Sequence, residues 1–84
     1  MIYILFNPLA NNKKGEEAVK DIVKEIKSLY ETKSIINLNL KEFFKSLKSI
    51  DEVILVGGDG TLNRLINALE DKVPDNKIYL YKAG

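Results

Sequence analysis

The chain lacks both cysteine and histidine. Disulfides, thiolate nucleophiles, histidine general bases and zinc sites built on these side chains are therefore excluded within its 84 residues. It also lacks an excess of either charge, since 13 Lys and Arg face 12 Asp and Glu for a formal net charge of +1. Nucleic-acid binders usually draw their affinity from surplus positive charge, and that balance argues against one here. A bound phosphate would have to be held mainly by backbone amides, a helix terminus or a metal. Long hydrophobic runs are missing as well. The opening MIYILFNPLANNKK turns polar too soon for a signal peptide, and no stretch could span a bilayer. These features predict a cytoplasmic protein, and the length predicts one small domain.

Strand and helix signals alternate along the chain. The run IYILF at residues 2–6 is rich in β-branched and aromatic residues and stops at Asn7-Pro8. Proline cannot donate to a sheet ladder and steers its predecessor away from helix, so a strand ends there. Over residues 15–32, Ala18, Val19, Ile22, Val23, Ile26, Leu29 and Tyr30 recur at helical spacing with lysines between them, which predicts an amphipathic helix. SIINL at 34–38 is the second expected strand. Asn39, three residues before Glu42, reads as a capping box. It opens a helix whose inner face holds Leu40, Phe43, Phe44 and Leu47, with Phe44 partly exposed. EVILV at 52–56 is the third strand, and Leu62, Leu65, Ile66 and Leu69 mark a third helix that breaks near Pro74. KIYLY at 77–81 is the fourth strand, with Tyr79 and Tyr81 packed on one face.

This β-α-β-α-β-α-β order predicts an α/β fold: a three-layer α/β/α sandwich around a mostly parallel, Rossmann-like sheet of about four strands. Right-handed crossovers limit the topologies to a few. Among them the preferred strand order is 2-1-3-4, which sets the first and third strands side by side. The loops leaving their carboxyl ends, NPLANNKKG and GGDGT, then flank the switch point where such sheets bind ligands. The outer edge of the KIYLY strand is a template for pairing with another chain, so self-association there or marginal stability is expected.

The loop inside VILVGGDGTLNRLINAL carries the most chemistry. A hairpin would require alternating residues after GGDG, whereas helical spacing follows, so the loop joins a buried strand to a helix. Amides at that helix start would face an anion, and the glycines would let a phosphate come close. The loop is neither a P-loop, lacking the Gly-Lys-Ser/Thr ending, nor the dinucleotide fingerprint, since Asn63 stands where its last glycine belongs. Asp59 could accept amides, bind a hydroxyl or help hold Mg²⁺, and Asp59 or Thr61 could equally cap the helix. Lys13 and Lys14 are within reach of a phosphate, although solvated lysines are the simpler account. The lysines of the first helix could likewise touch an anionic membrane surface, but its apolar stripe is more simply core.

GGDGTLN after an apolar strand, with NP closing the first strand, resembles the catalytic domain of diacylglycerol kinases and related lipid kinases. The GGDGT is shared with the more distant NAD kinases, while Asn63 and LINAL sit closer to the lipid-kinase branch. YKAG resembles the start of that family's Ala/Pro-x-Gly-Thr-x-Asn-Asp loop. The resemblance implies that Asn7, Ala10, Asn11, Gly57, Gly58, Asp59, Gly60, Thr61 and Asn63 contact ATP. It further implies transfer of the γ-phosphoryl group to a lipid hydroxyl such as that of diacylglycerol, with Mg²⁺ and a transient visit to the membrane surface. It places the general base, and much of the lipid site, in a mostly β domain beyond Gly84. No catalytic residue or metal ligand is thus expected among these 84 residues, and the chain alone is expected to be inactive. In the family a small hydroxyl residue and a glycine usually stand where Ala10 and Asn11 do, a glutamate stands at Arg64, and a threonine lies near the end of the second strand. Asn37 and Asn39 are the nearest replacements for that threonine. An NAD kinase-like phosphotransferase, with Asp59 as base, and a non-catalytic nucleotide-binding module are the alternatives.

Overall fold

The computed structural model describes residues 1–8, 14–70 and 74–82. Its elements are β1 (Ile2–Phe6), α1 (Lys14–Glu25), β2 (Tyr30–Ser34), α2 (Leu40–Ser46), β3 (Glu52–Gly57), α3 (Asp59–Leu69) and β4 (Ile78–Lys82). The strands form one sheet in the order β2-β1-β3-β4, with every pairing parallel.

Alternation along the two central strands sorts the core into two layers. Tyr3 and Leu5 of β1 and Val53 and Leu55 of β3 point to one face, where Leu40, Phe43 and Phe44 of α2 and Leu65 of α3 cover them. Ile2, Ile4 and Phe6 with Ile54 and Val56 point to the other, against Ala18, Val19 and Ile22 of α1. Ile4, Leu5, Val53 and Val56 have no exposed surface at all, which is why these strands read as unbroken apolar runs. The predicted architecture and strand order are both present. The Asn39 cap is present too, its Oδ1 accepting from the Glu42 N–H at 3.1 Å.

Four local expectations need correction. α1 ends at Glu25 rather than near Thr32, and Leu29, predicted to lie on its stripe, is exposed. The second strand is Tyr30–Ser34, not SIINL: pairing Ile2 with Tyr30 and Phe6 with Ser34 uses the residues that the helical stripe had claimed. As an edge strand outside both helical layers, β2 is held by backbone pairing and shows almost no apolar pattern. Only Ile35, just past its end, enters the core, its N–H bonded to the Phe6 carbonyl at 2.9 Å. Phe44 is buried, meeting Phe43 edge to face at 5.3 Å. Tyr79 and Tyr81 are 49% and 42% exposed, because α1 reaches across β1 and β3 but stops short of β4.

A polar knot ties the amino ends of the strands together. The buried Asp51 carboxylate accepts from the Lys48 N–H at 2.8 Å and pairs with the Met1 ammonium at 3.2 Å. Asn76 Nδ2 donates to the Asp51 and Lys48 carbonyls at 2.9 and 2.7 Å. The Lys48 N–H holds the Asp51 carboxyl below its ordinary value of 3.8, outweighing the upward push of burial, and the ammonium adds to the effect. Folding therefore favours ionised Asp51. Its contribution is complete above the unfolded-state value and is lost as pH falls through the lower folded one. Asp51→Asn is expected to make the acid limb of a melting-temperature-versus-pH profile shallower than in the wild type. Parallel acid limbs would contradict this.

Candidate functional site

A cleft of about 420 Å³ opens at the carboxyl ends of β2, β1 and β3, lined by Asn7, Ile35, Gly58, Asp59, Gly60, Thr61 and Arg64. It lies between the bend that follows β1 and the turn that follows β3, where the strand order reverses. Asn7, from the first of the two loops singled out in the sequence, and the GGDGT turn therefore face one space. No element in the described residues is a helix long and apolar enough to cross a membrane.

The turn is built in two parts. Gly57 closes β3 and is buried under Thr61: a Cβ at Gly57 would lie 2.7 Å from Thr61 Cβ and 3.0 Å from its Cγ2. That contact presses the first turn of α3 onto the end of the strand. Gly58 is the N-cap of α3, with extended backbone and no side chain capping the helix. Its carbonyl accepts from the Leu62 N–H at 3.2 Å. Asp59 and Thr61 thus lie inside the helix, and neither is its cap. A Cβ at Gly58 or at Gly60 would meet nothing within 4 Å. Packing within the protein leaves room for larger residues at both positions, and that room opens toward the cleft.

Asn7 is placed by a residue whose role the sequence reading missed. Gly15, in the first turn of α1, is buried, and a Cβ there would lie 2.8 Å from the Asn7 carbonyl oxygen. The absence of a side chain lets α1 seat directly on the backbone leaving β1. A glycine at the start of an amphipathic segment is the signal that the sequence offers for this contact.

Of the residues expected to contact ATP, Asn7, Gly58, Asp59, Gly60 and Thr61 share the cleft lining. Gly57 lies beneath that surface, and Asn63 is exposed on α3 outside the lining. Ala10, Asn11 and Lys13 lie outside the described residues, as does the side chain of Lys14. Neither Asn37 nor Asn39 lines the cleft; at the end of β2 that place is taken by apolar Ile35. Asn39 instead caps α2 and lines an adjoining groove of about 330 Å³, shared with Lys41 and Arg64. Among the described residues, Asp59 is the one carboxylate and Arg64 the one cation in the cleft lining. Among the described residues, no group of three or more His, Cys, Asp or Glu side chains could hold a metal ion.

The family model of the diacylglycerol kinase catalytic domain matches residues 1–80. The chain therefore belongs to the diacylglycerol kinase catalytic domain family, a family of kinases, and the cleft lies in the matched region. No curated protein and no solved structure matches it.

Proposed function

We propose that this chain is the ATP-binding part of a diacylglycerol-kinase-like lipid kinase, and that the cleft between the bend after β1 and the turn before α3 takes the phosphates of ATP. The carrying observation is the uncapped amino end of α3 opening into that cleft beside two glycines with free space above them. An uncapped helix start offers N–H groups and the positive end of the helix dipole to an anion. Gly58 and Gly60 let the phosphates approach the backbone, and Asn7 bounds the opposite wall. Asp59 is the carboxylate available to a divalent ion, which Mg²⁺ sites of this type complete with phosphate oxygens and water. When bound, that ion neutralises charge developing on the transferred phosphoryl group. The residues of this chain bind and orient the donor. The base that deprotonates the lipid hydroxyl is not among them, so the chain alone binds nucleotide without turning it over.

Titration calorimetry with ATP is the first test. Saturable binding that ADP competes away is expected, and no binding at millimolar ATP would overturn the reading. Incubation of the full-length protein with ATP, Mg²⁺ and a panel of lipid hydroxyl acceptors is the second. Phosphorylated lipid is the expected product; formation of NADP from NAD with no lipid product would instead assign the site to NAD kinase chemistry.

A further inference from the structure

Arg64 lies on α3 three residues after Thr61 and four after Gly60, so the three share one face of the helix. Helical side chains lean toward the amino terminus, which carries the Arg64 side chain back toward the uncapped end of α3. Gly60, with nothing within 4 Å of where a Cβ would be, leaves its path clear. Arg64 lines the cleft there and makes no ion pair with any described residue. Without it, the described side chains lining the cleft would carry only the negative charge of Asp59, which would repel a polyphosphate.

We propose that Arg64 is a phosphate-binding residue of the nucleotide site, offsetting Asp59 and gripping the polyphosphate chain from the wall opposite Asn7. This rests on the nucleotide reading of the cleft. A guanidinium suits the role because its planar fork donates two parallel bonds to phosphate oxygens and stays charged at every relevant pH. The helix end alone supplies a fractional charge, and the arginine adds a full one within the same space.

The test compares wild type with Arg64→Ala, Arg64→Lys and Lys45→Ala by titration with ATP, inorganic tripolyphosphate and adenosine. Lys45 is exposed on α2 away from the cleft lining, so its variant removes the same net charge without the contact. Arg64→Ala is expected to weaken ATP and tripolyphosphate roughly tenfold, in line with the loss of a charge-assisted hydrogen bond. Arg64→Lys should fall between it and the wild type, Lys45→Ala should match the wild type, and adenosine should bind all four alike. Melting curves should superimpose, since Arg64 is exposed. Wild-type ATP affinity in Arg64→Ala would overturn the proposal while leaving the nucleotide site standing. So would an unchanged ATP affinity with lost binding to phosphatidylcholine–phosphatidylglycerol vesicles, which would give Arg64 to an anionic acceptor surface. A wild type that binds no ATP sinks the nucleotide reading itself.

Discussion

Gly57→Ala is expected to lower the melting temperature by about 10 °C, Gly60→Ala to leave it nearly unchanged or slightly raised, and Gly58→Ala, at the N-cap of α3, to lower it by less than Gly57→Ala does. The glycines sit within one motif but face different neighbours. A methyl group at Gly57 would come within 2.7 Å of Thr61 Cβ, an atom rigidly attached to the helix backbone and buried. Rotating Thr61 about its side-chain bonds cannot move that atom, so the whole first turn of α3 would have to lift from β3. Overpacking of this kind costs about 1–3 kcal/mol. Stability of about 5–15 kcal/mol is usual for a domain, and a small one lies toward the lower end. The variant should remain folded at room temperature with a displaced turn. At Gly58 and Gly60 the added methyl group meets only open space. Inside the helix, at Gly60, alanine is favoured over glycine by up to about 1 kcal/mol, whereas at the Gly58 N-cap glycine is the more favoured of the two. At both positions a loss should appear in ATP affinity, because the methyl group occupies the approach to the backbone N–H groups. Calorimetric melting of the three variants beside ATP titration separates the roles. Equal melting temperatures for all three would remove the structural role given to Gly57, and unchanged ATP affinity in both Gly58→Ala and Gly60→Ala would remove the cradle.

The readable parts of the fold share one property: their burial is two-sided or their caps are local. β1 and β3 are covered on both faces, so their sequences are continuous apolar runs that scarcely depend on knowing the register. The start of α2 was legible because Asn39 and Glu42 interact over three residues. β2 failed for the opposite reason. Its residues are Tyr30–Ser34, an edge segment held by hydrogen bonds to β1, and backbone pairing leaves no mark on side-chain pattern. The more apolar SIINL nearby places the expected strand four residues too far along. That error also lengthened α1, since Leu29 and Tyr30 fit a helical stripe that the chain does not continue.

The site divides along the same line. Asn7 and the glycine turn were legible because proline and glycine punctuate strand ends, and the 2-1-3-4 order brings the first and third ends together. Ile35 lines the cleft because β2 ends at Ser34, one residue before it, a position that the apolar pattern does not mark. Arg64 was noticed as an unusual charge, but its direction follows from the lean of helical side chains over an adjacent glycine, a relation between residues four apart on a helix with a known start. Sequence position marks where the loops begin. Which side chain reaches into the space between them depends on the packing.

Gly15→Ala provides the second large expected effect and sets two physical arguments against each other. Helix propensity alone predicts that alanine in α1 would stabilise the protein, by at most about 1 kcal/mol. Packing predicts the reverse, because the new methyl group would lie 2.8 Å from the Asn7 carbonyl oxygen, and a backbone atom at the end of a buried strand cannot swing aside. A penalty of about 1–3 kcal/mol for overpacking exceeds the propensity gain, so a net fall of about 5–10 °C in melting temperature is expected. ATP affinity should fall as well, since Asn7 forms the wall of the cleft opposite α3 and would be pushed from its place. Glu16→Ala, at the exposed neighbouring position, provides the control and should change neither quantity. A melting temperature equal to or above that of the wild type in Gly15→Ala would show that α1 does not bear on the backbone leaving β1. The geometry of the nucleotide cleft would then have to be set by the turn before α3 alone.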